Sequence, residues 1–138
     1  MSIIVTDTGF GADDWTTGFA ALGAANDSGA LDVSSDINPA AIPLCAGLRM
    51  IRVDVPSFSD GRGFTIARAL RLRGYTGRLR ARGHVLADQY AMARRTGFDE
   101  VEISDDLAKR QPQDQWLFRA NWQANDYQSR LRGSKTPA

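Results

Sequence analysis

The chain has 138 residues, 43% of them hydrophobic and 24% charged, with a formal net charge of +1. Such values suit one globular domain with one core and exclude a wholly disordered chain. A single cysteine, Cys45, and a single histidine, His84, exclude an intramolecular disulfide, a CxxC redox pair and an all-protein zinc or iron–sulfur centre.

No apolar run approaches the ~18 residues of a membrane span. The opening MSIIVTDTGF lacks the basic and apolar regions of a secretory signal. The composition therefore predicts a cytoplasmic, metal-free protein with no membrane partner. The net charge hides a segregation. Residues 1–50 hold six acids and one base, residues 51–98 ten arginines and three aspartates, and residues 99–138 seven acids and six bases. The overall balance excludes a chain-wide nucleic-acid interface. The arginine-rich middle either attracts an anion or pairs with the flanking acids.

In chain order, residues 1–30 read as an N-terminal extension. It has one short strand candidate, Ile3 to Val5, and a loop with a short helix near Trp15. Leu31 to Ile37 alternates like a strand. Asn38 and Pro39 form an N-cap and N1 pair that opens a short helix through about Ala46, although Pro43 would remove one of its hydrogen bonds. Leu48 to Val55 is a β-rich alternating strand. Phe64 to Arg73 follows a helical period, with Phe64, Ile66, Ala67 and Leu70 on one side. Gly74 and Tyr75 supply a left-handed stop.

Arg78 to Arg82 is the next strand and Leu86 to Thr96 the next helix. Gly97 and Phe98 repeat the glycine–aromatic stop. Glu100 to Ile103 is a strand, and Asp114 to about Asn125 a helix whose Trp116, Phe118 and Trp122 pack inward. The tail from 127 to 138 reads as frayed. The expected fold is α/β in a single domain: about four βα units over residues 31–126, with a mainly parallel sheet. That sheet is either half-barrel-like or open, with its helices mainly on one face.

The strands have one charged face. Asp32, Arg52 with Asp54, Arg78 with Arg80 and Arg82, and Glu100 with Glu102 oppose apolar partners. In sequence order they form an acid–base–acid series. It is either a functional surface or a salt-bridge lattice that fixes register. An exposed concave face would favour a homodimer, and reversing Arg80 to Glu would test that.

Ligands of parallel βα folds sit beyond the carboxyl ends of the strands. One candidate loop there is Pro56 to Gly63. In it Asp60, Gly61, Arg62 and Gly63 form an anion cradle at a helix N-terminus, or Asp60 is simply the cap. A second holds Arg82, His84, Asp88 and Gln89. His84 and Asp88 are the candidate acid–base pair, while Arg82 and Gln89 are ligand contacts. The third converging loop, Ser104-Asp105-Asp106, reads as a plain helix cap, and as a metal ligand only if its geometry converges. Neither a Walker A sequence nor GxGxxG occurs, so no nucleotide cofactor is indicated.

The run Phe58-Ser59-Asp60-Gly61-Arg62-Gly63-Phe64, the Arg73-Gly74-Tyr75 stop and the segment Gly83, Val85-Leu86, Asp88-Gln89 resemble the bacterial DUF934 family over roughly residues 50–104. His84 stands where such sequences often carry an acidic or other polar residue. The family is described as uncharacterised, or provisionally as an oxidoreductase associated with assimilatory sulfite reduction. The resemblance implies an accessory protein of that step, binding a small oxyanion or sulfite reductase through the strand-end loops. The alternatives are an oxidoreductase or other enzyme with a dimeric, barrel-like acid–base site, and a non-catalytic assembly module. No redox cofactor motif supports the enzyme reading directly.

Overall fold

The computed structural model describes residues 2–15, 18–21, 29–42, 44, 48–59 and 61–120. Asp60, Pro43, Cys45, Trp122 and the tail lie outside that set. The elements are β1 (Ser2–Thr6), β2 (Gly9–Gly11), β3 (Ala20–Ala21), β4 (Ala30–Val33), β5 (Met50–Val55), α1 (Arg62–Leu72), β6 (Arg78–Gly83), α2 (Tyr90–Thr96), β7 (Glu100–Ser104), α3 (Asp105–Arg110) and α4 (Gln113–Phe118). Among the described residues they build one mixed α/β sheet in the order β2-β1-β7-β6-β5-β4-β3. β3 to β7 are parallel neighbours, while β1 is antiparallel to both β7 and β2.

β1 covers the Ile3–Val5 candidate, but it is an interior strand of the sheet. Its apolar Ile3 and Val5 lie opposite Ile103 and Val101. No helix forms near Trp15 among the described residues. The strand expected over Leu31–Ile37 stops at Val33, because the next residues bond locally. The Ile37 N–H reaches the Ser34 carbonyl at 3.3 Å and Ser34 donates to Asp36. Pro39–Ala41 forms only a 3₁₀ turn, capped by Asn38 accepting from the Ala40 N–H at 3.0 Å.

The apolar strand face receives the helices. Val5, Leu31, Val33, Ile51, Val53, Val55, Leu79, Ala81, Val101 and Ile103 are buried there with Phe64, Ile66, Ala67 and Leu70 of α1. A Cβ on Gly63 would sit 3.4 Å from both Val53 and Val55, so that glycine lets α1 lie close on β5. Each large apolar side chain so buried stabilises the fold by about 1.5–3 kcal/mol. α1 ends as the sequence predicts. Gly74 has φ +95°, and the Tyr75 N–H closes on the Leu70 carbonyl at 3.0 Å. Gly97 repeats the stop at φ +122°, with the Phe98 N–H on the Ala93 carbonyl at 3.0 Å. Trp116 is buried against Tyr90, but Phe118 is 76% exposed rather than packed inward.

The charged face is neutralised within the chain. Register aligns Asp32, Arg52, Arg80 and Glu100 in one row, and Asp54, Arg82 and Glu102 in the next. Arg80 is fully buried and bonds Glu100 at 2.6 Å, Glu102 at 2.9 Å and Asp13 at 3.1 Å. Arg52 takes Asp32 in a two-pronged grip at 2.6 and 2.9 Å and also reaches Glu102 at 3.1 Å. Arg78 bonds Glu100 at 2.6 Å and Asp14 at 2.8 Å.

Asp13 and Asp14 belong to the segment after β2, which folds back over this face. Its Phe19 ring lies 3.8 Å from the Arg52 guanidinium carbon. This segment covers the Arg52, Arg78 and Arg80 part of the face expected to favour a homodimer, while Asp54 and Arg82 stay half-exposed. Because Arg80 is buried, its reversal to Glu tests folding rather than self-association.

Candidate functional site

The carboxyl ends of β5, β6 and β7 enclose two adjoining clefts. One, of about 340 Å³, is lined by Asp54, Pro56, Arg82, Gly83, His84, Glu102, Ile103 and Ser104. The other, of about 370 Å³, shares Gly83, His84 and Ser104 and adds Phe58, Asp106, Leu107 and Arg110. His84 therefore sits at their common wall.

Gly83 is what brings His84 there. Its φ of +117° turns the chain at the end of β6, and a Cβ would stand 2.7 Å from the Val55 carbonyl oxygen. That carbonyl accepts the His84 backbone N–H at 3.0 Å and lies 3.3 Å from the His84 Nδ1. The imidazole meets the Phe58 ring edge-on at 5.2 Å. A carbonyl oxygen only accepts, so in this contact Nδ1 is the donor.

Arg82 differs from the other arginines of the charged face. Its side chain is half-exposed, 3.3 Å from Glu102 and 3.9 Å from Asp54, and makes no hydrogen bond among the described residues. Glu102 is buried and already held by Arg52 and Arg80, so its charge is matched. Ser104 caps α3 by accepting the Leu107 N–H at 3.2 Å, as the cap reading expects. Its own hydroxyl hydrogen remains a donor at the cleft wall.

The other expected site residues are dispersed. Asp88 is exposed and pairs with Arg119 at 3.0 Å beside α4, in a separate hollow with Asp114 and Phe118. It does not line either cleft with His84, so the two are not brought together as an acid–base pair. The helix expected from Leu86 starts instead as a 3₁₀ turn, Ala87–Gln89, before α2, and Asp88 in that turn is taken up by Arg119.

Gln89 has both ends of its amide engaged. It accepts the Leu86 N–H at 2.8 Å and donates to the Phe58 carbonyl at 2.9 Å, stapling two loops together. Gly61 lines an outer groove with Phe58, Phe64 and Met92. Arg62 is exposed in the first turn of α1, and Gly63 serves the helix–strand contact. Residues not expected at the site are Asp54, Glu102 and Arg110, while Ser104 and Asp106 come from the third strand-end loop. The alternation of β5, β6 and β7 already placed the first two beside Arg82.

Electrostatics tie the covering segment to the network. Burial raises the Asp13 carboxyl, but the Arg80 bond, the Trp15 N–H and the charges of Arg80 and Arg52 outweigh it and hold it below the usual 3.8. The Arg78 bond holds Asp14 below that value against a smaller effect of burial. Burial works against the charge of Arg80, yet its carboxylate partners raise it above its ordinary value.

Fold and cleft together define a mixed α/β protein with a mainly parallel sheet and a histidine–arginine cleft at its strand ends. The chain belongs to the DUF934 family, bacterial proteins of unknown function, whose family model matches residues 29–137. No curated protein and no solved structure matches the chain. No helix among the described residues is long and apolar enough to cross a membrane, and they hold no group of three or more metal-ligating side chains.

Proposed function

We propose that this protein is an accessory factor of assimilatory sulfite reduction whose strand-end cleft binds a small oxyanion. One observation carries the binding claim. Arg52, Arg78 and Arg80 are locked by bonds of 2.6–3.1 Å, whereas Arg82, at the cleft wall, is held only at 3.3 and 3.9 Å. A guanidinium in that state can turn to an incoming oxyanion and form the charge-assisted hydrogen bond that its loose pairs with Glu102 and Asp54 do not supply. The Ser104 hydroxyl and the His84 ring supply further polar contacts at the same wall. The sulfite step comes from the family resemblance and makes sulfite reductase the expected partner. We also read β4 to β7, consecutive in both sequence and space, as the βα units of a half-barrel-like arrangement.

The second reading is catalytic. It is favoured by the place of the His84 imidazole at the common wall of both clefts, with Nδ1 engaged by the Val55 carbonyl. In that reading His84 works without Asp88.

The experiment is deletion of the gene, followed by complementation with the wild type or with Arg82→Gln. Growth on sulfide but not on sulfate or sulfite, rescued by the wild type alone, supports the proposal. Arg82→Gln must also melt like the wild type. Equal growth on all sulfur sources, or full rescue by Arg82→Gln, overturns it.

A further inference from the structure

The largest of the clefts described lies at the opposite end of the sheet. It measures about 780 Å³ at the amino ends of β5 and β6 and is lined by Leu44, Leu48, Arg49, Arg73, Gly74, Tyr75, Thr76, Gly77, Arg78 and Asp99. From its geometry we infer a second ligand site, for an organic phosphate or sulfate monoester. This inference is independent of the strand-end cleft.

The cleft is rigidly built. Arg71 grips the loop from α1 to β6, donating to the carbonyls of Tyr75 at 2.9 Å and Gly77 at 2.7 Å, and to Gly97 and Asp99 on the far side. The Tyr75 hydroxyl donates to the Arg78 carbonyl at 3.3 Å. Arg73 crosses to the connection between β4 and β5, where its Nη1 donates to the carbonyls of Pro39 at 2.7 Å and Ile42 at 2.9 Å. Preorganised walls of this kind reduce the ordering cost of binding.

The cleft also carries positive charge that no acid takes up. The Arg73 bonds go to neutral carbonyls, so its guanidinium is fixed in position without a carboxylate partner among the described residues. Its Nε and Nη2 remain as donors. Arg78 is matched by Asp14 and Glu100. The one acid of the lining, Asp99, is occupied by Arg71 at 2.9 Å and by the Leu79 N–H at 2.9 Å. The backbone N–H groups of Thr76 and Gly77 find no acceptor among the described residues.

A held guanidinium and loop amides with no protein acceptor among the described residues line the same cleft, and such donors together can hold a tetrahedral oxyanion. Leu44, Leu48 and Tyr75 give the same cleft apolar walls, and its volume falls in the ~300–1,000 Å³ range of small-molecule sites. A bare inorganic ion would leave those walls unused. The ligand is therefore an oxyanion carried on an organic body.

The test is titration of the full chain with AMP, phenyl sulfate, inorganic phosphate and inorganic sulfate, followed by amide NMR and calorimetry. AMP or phenyl sulfate should bind more tightly than either inorganic ion. The amides of Gly74, Thr76 and Gly77 should shift, and Arg73→Gln should weaken binding about tenfold. Which ester binds tighter decides between phosphate and sulfate. If Arg73→Gln fails to fold, the wild-type amide map decides alone. Shifts confined to Gly83 and His84, no saturable binding of either ester, or unchanged affinity in a folded Arg73→Gln overturn the inference.

Discussion

Replacing Arg80 with Met removes a buried charge while keeping an unbranched apolar stem. Four carboxylates feel the change, three of them through hydrogen bonds and Asp14 only as a charge 3.8 Å away. Glu100 loses its 2.6 Å bond but keeps Arg78 at 2.6 Å. Glu102 loses a 2.9 Å bond but keeps Arg52 at 3.1 Å and the looser Arg82. Asp13 loses its 3.1 Å bond and keeps the Trp15 N–H at 2.9 Å. Breaking a buried ion pair on one side costs about 3–5 kcal/mol, and the retained partners put this variant near the lower end, about 3 kcal/mol. With an unfolding entropy of ~2.1 cal/mol/K per residue, that lowers the melting temperature by about 10 °C.

Calorimetry and urea unfolding of Arg80→Met measure the loss. A double-mutant cycle with Glu100→Gln should return a coupling of about 1–3 kcal/mol. A melting temperature within about 2 °C of the wild type would refute the reasoning, because the network would then be too well solvated for its loss to matter.

Further outcomes follow from other parts of the fold. Gly83→Ala forces a side chain into φ +117° and against the Val55 carbonyl, and should lose about 1–3 kcal/mol in urea unfolding. Gly61 is the N-cap of α1 and a Cβ there meets open space, so Gly61→Ala should lose only the cap preference, about 0.5–1 kcal/mol. Asp13 and Asp14 titrate below 3.8 in the fold, so their stabilisation is present above that pH and lost as the pH falls through their lowered values. Asp13→Asn with Asp14→Asn should therefore lower stability at pH 7 and flatten the acid limb of the stability curve below about pH 4.

Burial, opposed by Arg71, pushes Tyr75 up to about 12, and burial with the Asp7 contact pushes Tyr90 higher still. The protonated tyrosines support the fold below pH ~10, and that support is lost as the pH rises through their folded values. Ultraviolet titration should show neither ionising at the ordinary tyrosine pH before the chain unfolds.

What the sequence made legible was whatever short-range patterning controls. Period-two alternation sorted Ile51, Val53 and Val55 from Arg52 and Asp54, and the structure buries the first set against α1. The stops at Gly74 and Gly97 were readable because only a left-handed residue followed by an apolar one closes a helix that way. The antiparallel insertion of β1 beside β7 was not, since pairing between residues 2–6 and 101–104 leaves no local signal.

The covering of the charged face was likewise hidden. Asp13 lies 67 positions before Arg80, and nothing in either neighbourhood announces their bond. In the site, Arg82 and His84 followed from their place at a strand end. Asp88 stands apart from His84 in an ion pair with Arg119, 31 positions further on, and nothing in either neighbourhood announces that pairing.

The claim at the centre of the account is that the loosely held Arg82 receives an oxyanion. Titrating the purified chain with sulfite while following the amides of Gly83, His84 and Ser104 tests it directly. The account predicts saturable shifts at those three amides, weakened about tenfold in Arg82→Gln with no change in melting temperature. Absence of shifts at the strand-end cleft, or equal affinity in Arg82→Gln, would contradict it.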